Sequence, residues 1–409
     1  MNYLQTTSEN DVVHARQIAF FSAFILPTYK LLEVPSLLAR YTKGDLLFPA
    51  LAHYLLQTGI LLALLYLASR SEKPLLSRLQ EKLGNRVNVV YIVYAVVFLF
   101  YAVLPLLDLE KFVYAVFYDT SPTLFSFAFF FLLCGFVCTK GLKCIGRLAD
   151  LSLFLFLLPF ILLLVMSLVE SDVSNLLPFF ESSLSETGKA FTYTTPHFSD
   201  VLLLLPLIGN LRYQKGDGKK ITLGYTAGSL LTLLFLTVFY AVYSTLAPRE
   251  HYAFAKIAQY FPALAVIGRV DLLLVYAICI AVFFFACTPV SFAVSCLARP
   301  LRTHRKTLLS LIVTLGAFLF VLYFNKYYDK IYALIAGKLY FLFYIFADAL
   351  PLTLLFFLDD GKKINDLKSE KNKTHRAKFH AKFHAENTAE NQSAPRTENT
   401  AEKEQKQNA

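Results

Sequence analysis

The chain has 409 residues, of which 56% are hydrophobic and 17% are charged, and its formal net charge is +10. Its mean hydropathy is +0.52, and its apolar residues form continuous runs rather than alternating patterns. This excludes an ordinary water-soluble protein and predicts helices that cross a membrane. The positive charge lies in short connections and in the C-terminal tail, without interleaved aromatic residues, which argues against nucleic-acid binding.

Ten apolar runs predict ten spans, so the predicted fold class is an all-α polytopic membrane protein. We expect a polar N-terminus over residues 1–12 and a membrane domain over residues 13–358. Residues 359–409 contain too few apolar side chains to offset the entropy of ordering, which predicts a disordered tail. The first run lacks a small-residue cleavage site and is expected to remain as a span. The predicted spans are Val13–Leu38, Leu46–Ala68, Val87–Leu107, Leu124–Cys138, Ser152–Val169, Thr192–Ile208, Leu223–Thr245, Asp271–Val294, Leu308–Phe324 and Leu339–Phe357.

The distribution of Lys and Arg predicts the orientation of the chain. The connections after spans two, four, six and eight are rich in Lys and Arg, whereas the alternate connections are poorer and two lean acidic, one of them with Asp108 and Glu110. By the positive-inside rule both termini are cytoplasmic, in a multi-pass protein of the cell membrane. The connection after span nine, with Lys326 and Lys330, fits badly. The basic start of the tail, residues 362–382, is interpreted either as binding anionic lipid or as a solubilising segment.

Cysteine and histidine placement predicts neither a metal site nor structural disulfides. The six cysteines lie within predicted spans or at their cytoplasmic ends, away from an oxidising compartment. Cys134 and Cys138 share a helical face, but Cys144 completes no zinc spacing and no histidine stands nearby. The sequence has no phosphate-binding glycine loop and no Ser/His/Asp arrangement, so no cofactor and no enzyme activity are predicted.

The first predicted span is interrupted. Pro27 and Pro35 lie eight residues apart, and each removes a helical hydrogen bond, which favours a broken helix. Between them, Lys30 and Glu33 are spaced i,i+3 and either pair with each other or serve a function. Charged side chains at bilayer depth cost at least about 2.5 kcal/mol, so they are candidates for a functional site.

The sixth span holds the second interruption, at Pro196 and again at Pro206. Asp200 lies between them and has no basic partner in its own span, so Lys30 is its expected partner. Asp348 in span ten and His53 in span two are weaker candidates, and His53 is interpreted as a packing or hydrogen-bonding residue. Transporters built from inverted five-helix repeats interrupt the first helix of each repeat in this way, and ten spans with breaks in spans one and six fit that architecture.

Several strings resemble the spore germination permease family, the B-type membrane subunits of spore germinant receptors within the amino acid–polyamine–organocation superfamily. The resemblance covers residues 17–351, and each string is weak alone, but their order and spacing together are specific. The strings are LEVP at Leu32–Pro35, PLLSRLQEKLG at Pro74–Gly84, GLKCIGR at Gly141–Arg147, NLLP at Asn175–Pro178, FSD at Phe198–Asp200 with Pro206, and GRVD at Gly268–Asp271.

This resemblance implies a receptor subunit of the inner spore membrane that recognises a small nutrient, such as an amino acid, between spans one and six. The predicted binding residues are Thr28, Tyr29, Lys30, Glu33, Phe198, Ser199 and Asp200, with Glu33 and Asp200 as candidate proton or ion sites. The chain departs from the family where Thr28, Lys30 and Ser199 stand in place of a glycine-rich break. A proton-coupled amino-acid transporter and a scaffold subunit without ligand binding are the alternatives.

The resemblance also implies companion subunits, namely a larger membrane protein and a lipoprotein. The connection between residues 170 and 192 is the predicted contact for such a partner. It carries Leu176, Leu177, Phe179 and Phe180 beside Pro178, and exposed apolar groups of this kind are unusual in a free loop. The alternatives are a helix lying on the membrane or a lid folded over the protein's own core.

Overall fold

The computed structural model describes residues 12–71, 73–117, 123–169, 171–177, 180–252, 271–301, 305–327, 330, 333–334, 345–349 and 351–353. These residues belong to one compact unit, Met1–Asp359. The predicted disordered tail lies outside the described residues. Within them the secondary structure is helical, and the β pairing consists of one isolated parallel bridge between Val13 and Leu211. That bridge joins the chain entering the first helix to the chain leaving the sixth span.

The helices follow the predicted apolar runs. They are α1 (Ala15–Lys30), α2 (Val34–Thr42), α3 (Leu47–Ser69), α4 (Leu75–Leu83), α5 (Val87–Phe117), α6 (Thr123–Lys140), α7 (Leu142–Leu151), α8 (Leu153–Val169), α9 (Leu184–Thr194), α10 (Asp200–Gly209), α11 (Asp217–Tyr243), α12 (Asp271–Ala298) and α13 (Lys306–Phe324).

The lengths and compositions of these helices make the chain a multi-pass membrane protein with an all-α fold. Among the described residues, five helical segments are long and apolar enough to cross a membrane, and two bent pairs bring the number to seven. The bent pairs are α1 with α2, at 60°, and α7 with α8, at 48°. Nine of the ten predicted spans correspond to described helices. The tenth lies mostly outside the described residues, which include a π-helical turn at Ile345–Ala349.

Two helices extend beyond the predicted spans. The third span was expected to end at Leu107, with Asp108 in a connection, but α5 continues to Phe117 and buries Asp108. The Tyr29 hydroxyl donates a 2.8 Å hydrogen bond to Asp108, which gives this carboxylate a partner inside the protein. The helix leading into the sixth span starts at Leu184 rather than Thr192, because Ser183 and Glu186 form a capping box.

Helix α12 is the centre of the bundle and α13 lies at its edge. In its apolar stretch, 83% of the residues of α12 are buried, compared with 17% for α13. Helix α12 packs along α5, and α13 packs against α6. Side chains of α13 such as Leu311 and Leu315 are therefore exposed at the edge of the bundle.

Helix α11 approaches the first broken helix with its backbone. A Cβ atom added at Gly224 would lie 2.5 Å from the Ala19 carbonyl oxygen, and one at Gly228 would lie 2.2 Å from the Ser22 carbonyl oxygen. Small residues four apart allow this close approach between membrane helices. The Gly228 contact lies in the π-helical turn of α1, Phe21–Ile25, and the Gly224 contact lies just before it.

The connection after α8 packs onto the protein's own core. The buried carboxylate of Asp45 accepts hydrogen bonds from the Phe180 N–H (2.8 Å) and from the N–H (2.7 Å) and hydroxyl (2.9 Å) of Ser182. The Asn175 side-chain amide donates to the Ala241 carbonyl at 2.9 Å. Hydrogen bonds from Ser174 hold the pKa of Asp172 below its usual range. Leu177 and Phe180 remain exposed, and Phe179 lies outside the described residues.

Candidate functional site

The first span is broken where its sequence predicts. Helix α1 ends at Lys30, residues Leu31–Glu33 form a turn, and Pro35 lies in the first turn of α2. Proline fits the first turn of a helix because the amide that it lacks has no partner there. The Leu31 and Leu32 amides donate to the Thr28 and Tyr29 carbonyls instead of continuing the α-helical pattern. The break therefore places Lys30 at the end of one half-helix.

The sixth span is broken at Ser199. Helix α9 continues into a 3₁₀ turn, Thr195–Phe198, and Ser199 takes a non-helical conformation with φ −75° and ψ 49°. The following helix, α10, has Asp200 in its first turn. A carboxylate at this position is favoured by the positive end of the helix dipole. The second break thus presents a negative side chain at the start of a half-helix.

The two breaks meet at a buried ion pair. The Lys30 Nζ atom lies 2.6 Å from Oδ1 and 2.7 Å from Oδ2 of Asp200, and each side chain is 1% exposed. The Tyr225 hydroxyl of α11 donates a hydrogen bond to Asp200 Oδ2 at 3.0 Å. The expected contact between Lys30 and Asp200 is therefore present, and Lys30 pairs across the bundle with a residue of the sixth span.

Aromatic rings surround the ammonium group of Lys30. Its Nζ atom lies 5.1 Å from the ring centroid of Tyr54 and 5.1 Å from that of Phe198. Cations within about 6 Å of an aromatic face are attracted by the electrons of the ring. The Lys30 side chain therefore occupies the space between the two breaks, as expected of a lysine that replaces glycine.

Other predicted binding residues are engaged with the protein itself. The Thr28 hydroxyl donates to the Phe24 carbonyl at 2.6 Å, and the Ser199 hydroxyl donates to the Thr195 carbonyl at 3.0 Å. Tyr29 bonds to Asp108, as described above. Glu33 is partly buried and accepts a hydrogen bond from the Tyr252 hydroxyl at 3.2 Å. A role for these residues in substrate or proton binding stays a prediction.

A second polar network links three spans beside the ion pair. The Gln57 side chain of α3 donates to Asp348 at 2.7 Å, and its carbonyl oxygen accepts from the Val201 N–H at 3.0 Å. This satisfies a backbone amide at the start of α10, which has no helical partner. His53 Nε2 lies 2.9 Å from the Phe191 carbonyl oxygen, and its ring stacks on Phe191 and Phe198. The interpretation of His53 as a packing and hydrogen-bonding residue is confirmed.

The sequence prediction missed several residues around the pair. Tyr54 and Tyr225 contact it, and the Tyr101 hydroxyl donates to the Ser199 carbonyl at 3.4 Å. The chain contains 24 tyrosines, so tyrosine alone gave no signal. Gln57 did give a sequence signal, because an amide side chain in the middle of an apolar run requires a buried hydrogen-bond partner.

The candidate site combines two charged groups with aromatic rings. Among the described residues, no group of three or more His, Cys, Asp or Glu side chains is placed to hold a metal ion. One positive and one negative group face each other at the junction of two half-helices, surrounded by aromatic rings. Together they have no net charge.

Comparisons with known proteins identify the family and the fold. Residues 52–328 match the family described as spore germination protein. The chain is similar to a crystal structure of a mutant of the Eremococcus coleocola manganese transporter, with a TM-score of 0.51 and 11% identity over 87% of this chain and 77% of that chain. A second mutant structure of the same transporter gives a TM-score of 0.48 and 11% identity over 84% and 76%. The TM-score of 0.51 supports a transporter-like fold. No curated protein sequence matches significantly.

Proposed function

The chain belongs to the family of spore germination proteins, and from that premise we propose that it is the nutrient-recognising membrane subunit of a spore germinant receptor. The nutrient is an amino acid, and it binds between the broken spans one and six. The observation that carries this proposal is the buried ion pair of Lys30 and Asp200 at the meeting point of the two breaks. Interrupted helices form the substrate sites of transporters with inverted repeats.

The chemistry of the pair selects the class of ligand. An amino acid carries an ammonium and a carboxylate on one carbon, so its carboxylate would bind Lys30 and its ammonium would bind Asp200. One internal ion pair would be exchanged for two ion pairs with the ligand, and the site would stay neutral. A ligand with a single charge would leave one buried charge without compensation, which is costly.

Binding by exchange also supplies a signal. Separating Lys30 from Asp200 removes the direct link between α1 and α10, so a ligand that bridges them changes the spacing of the two half-helices. Rigid-body movement of one bundle against the other is how this class of fold alternates between states. In the proposed receptor, companion subunits detect that movement.

The outer connection supplies a surface for such a subunit. Residues 171–177 and 180–183 are anchored on the protein's own core through Asp45 and Asn175, which supports the lid alternative for the backbone of this loop. The exposed side chains Leu177 and Leu184 point away from that anchor, with exposed fractions of 63% and 90%. We propose that a lipoprotein-type partner covers them outside the membrane and that a larger membrane subunit lies alongside.

Thermal-shift measurements on the purified protein in lipid nanodiscs test the proposal. Each of the common L-amino acids is added separately, and propionate and ethylamine serve as probes that carry only one of the two charges. At least one amino acid should raise the melting temperature, and neither single-charge probe should do so. The variant Lys30→Met/Asp200→Leu, which removes both charges, should lose the response while remaining folded.

The same experiment separates the alternatives. If no amino acid stabilises the folded wild-type chain, the proposal fails and a scaffold subunit is the better description. If the stabilising amino acid, radiolabelled, accumulates in proteoliposomes that contain this chain alone under a proton gradient, the protein is a proton-coupled transporter. As a matched control, Lys73→Gln/Glu81→Gln removes an exposed ion pair and should respond like the wild type.

A further inference from the structure

A basic cavity lies between the end of α6, the start of α7 and the start of α13. It has a volume of about 340 Å³ and is lined by Lys140, Lys143, Arg147 and Lys306, together with polar and small residues of α6, α7 and α12. None of the lining residues is acidic. The cavity also borders the N-terminal turn of α7, whose helix dipole adds positive potential. An anion is therefore the expected occupant.

An apolar groove lies between α6 and α13. Its volume is about 460 Å³, and its lining includes Phe131, Phe136, Leu311, Leu315 and Phe318. The groove is shallow because the two helices are in close contact beneath it. The Ser310 hydroxyl donates to the Gly135 carbonyl at 2.9 Å, and a Cβ atom added at Gly135 would lie 3.5 Å from the Thr314 hydroxyl oxygen. The groove runs along the lipid-facing side of the bundle.

The basic cavity and the apolar groove adjoin. Thr139 lines both of them, and the neighbours Lys306 and Thr307 line the cavity and the groove respectively. Four positive charges thus lie at one end of a groove that is otherwise apolar. This distribution matches a molecule with an anionic head and a hydrocarbon chain, and a free phosphate ion would leave the groove unused.

We propose that this composite site binds one anionic phospholipid of the cytoplasmic leaflet. Its phosphate lies among Lys140, Lys143, Arg147 and Lys306, and one acyl chain lies in the groove between α6 and α13. Basic residues after the fourth span are on the cytoplasmic side by the positive-inside rule, and anionic lipids are concentrated in that leaflet. The bound lipid supplies a partner surface for α13, which the rest of the protein leaves mostly exposed.

Lipid retention by the purified full-length protein tests the proposal. The protein is exchanged into nanodiscs that contain equal amounts of phosphatidylglycerol and phosphatidylcholine, then extracted gently, and the retained lipid is identified by native mass spectrometry. The wild type should retain one phosphatidylglycerol. The variant Lys140→Gln/Lys143→Gln/Arg147→Gln should lose affinity for it about 100-fold, because each basic residue near the surface contributes about a factor of five.

Two matched controls make the test specific. Arg212→Gln/Lys215→Gln/Lys219→Gln removes three exposed positive charges from another connection predicted to be cytoplasmic, and it should retain lipid like the wild type. Leu311→Trp fills the groove without changing charge and should weaken retention. Leu319→Trp should not weaken retention, because Leu319 lies outside the groove lining. Leu319 is on the same helix and is 56% exposed, compared with 59% for Leu311.

Four results would overturn the proposal. Equal loss of lipid by the two triple variants would mean that general positive charge, and not this cavity, attracts the lipid, and undiminished retention by the cavity variant would mean that these residues do not bind it. Displacement of phosphatidylglycerol by inorganic phosphate at millimolar concentration, with no effect of Leu311→Trp, would identify a phosphate site instead. If the wild type retained phosphatidylcholine and phosphatidylglycerol equally, the four basic residues would not select an anionic headgroup.

Discussion

Lys30 and Asp200 are separated by 170 positions in the chain, and the ammonium group of Lys30 contacts both carboxylate oxygens of Asp200, at 2.6 and 2.7 Å. Lys30 ends one half-helix and Asp200 begins another, so this single contact joins the two interrupted spans. A buried ion pair contributes little net stability relative to apolar residues, because removing both charges from water costs about as much as their attraction returns. Its location at the two breaks is the basis of the proposed role in recognition.

Removing either member of the pair alone should destabilise the protein strongly. We expect Lys30→Met and Asp200→Leu each to lower the free energy of unfolding by about 3–5 kcal/mol, because each leaves a buried charge without a partner. The double variant should recover most of that loss. Chemical unfolding of the wild type, both single variants and the double variant in the same detergent gives a double-mutant cycle. A loss in the double variant equal to the sum of the two single losses would contradict an interaction between Lys30 and Asp200.

The exposed pair of Lys73 and Glu81 is the control for this cycle. Its atoms lie 2.5 Å apart, but its side chains are 60% and 58% exposed. Replacing both residues with Gln should change the free energy of unfolding by at most about 1 kcal/mol, since solvent screens exposed pairs.

The close contact between α11 and α1 should not tolerate a methyl group. Gly228→Ala would place a Cβ atom 2.2 Å from the Ser22 carbonyl oxygen, so the helices must separate. We expect a loss of about 1–3 kcal/mol, the usual cost of overpacking. Gly316→Ala is the matched control within a helix, because no atom lies within 4 Å of its added Cβ. It should be neutral or stabilising, since alanine favours helix more than glycine does. Equal melting temperatures for the two variants would contradict this packing.

The breaks and the partnership of Lys30 with Asp200 were predictable from the sequence. Pro27 and Pro35 bracket the first break, and Pro196 precedes the second. An acid at bilayer depth without a partner in its own span requires one elsewhere, and few basic residues lie at that depth. These inferences depend on local chemistry and on the cost of an isolated charge in an apolar environment.

The surroundings of the pair were not predictable, because they depend on which helix faces meet. Tyr225 could be placed beside Asp200 only after the rotation of α11 was known, and the glycines at Gly224 and Gly228 set that rotation through their contact with α1. Asp108 was assigned to a connection because charged residues usually mark the end of a span. In the structure, the Tyr29 hydroxyl, 79 positions away in sequence, donates a buried hydrogen bond to Asp108, and the helix continues past Asp108.

Asp45 should control the order of the connection between α8 and α9. Asp45→Asn replaces one acceptor oxygen by a donor, so at least one of the hydrogen bonds from Phe180 and Ser182 is lost. We expect faster hydrogen–deuterium exchange of the Phe180 and Ser182 amides, with little change in the membrane helices. Glu181→Gln serves as the control, because Glu181 forms an exposed ion pair with Lys43 and does not accept the hydrogen bonds made by Asp45. Unchanged exchange in Asp45→Asn would mean that other contacts hold the loop.

The orientation of the chain is the last prediction, and it follows from the charges between the spans. Leu184 is 90% exposed at the start of α9, in the connection that lacks an excess of Lys and Arg, and Lys219 is exposed at the start of α11, in a basic connection. The positive-inside rule places Leu184 outside the cell and Lys219 in the cytoplasm.

In intact cells, Leu184→Cys should react with a membrane-impermeant maleimide, and Lys219→Cys should react only after the membrane is permeabilised. The unmodified chain is the blank, because four of its six cysteines are buried and the other two are partly buried. Reaction of both introduced cysteines from the same side would show that the segment between them, predicted span six, does not cross the membrane. The reverse pattern would place the basic cavity beside α7, and with it the proposed phospholipid, in the outer leaflet.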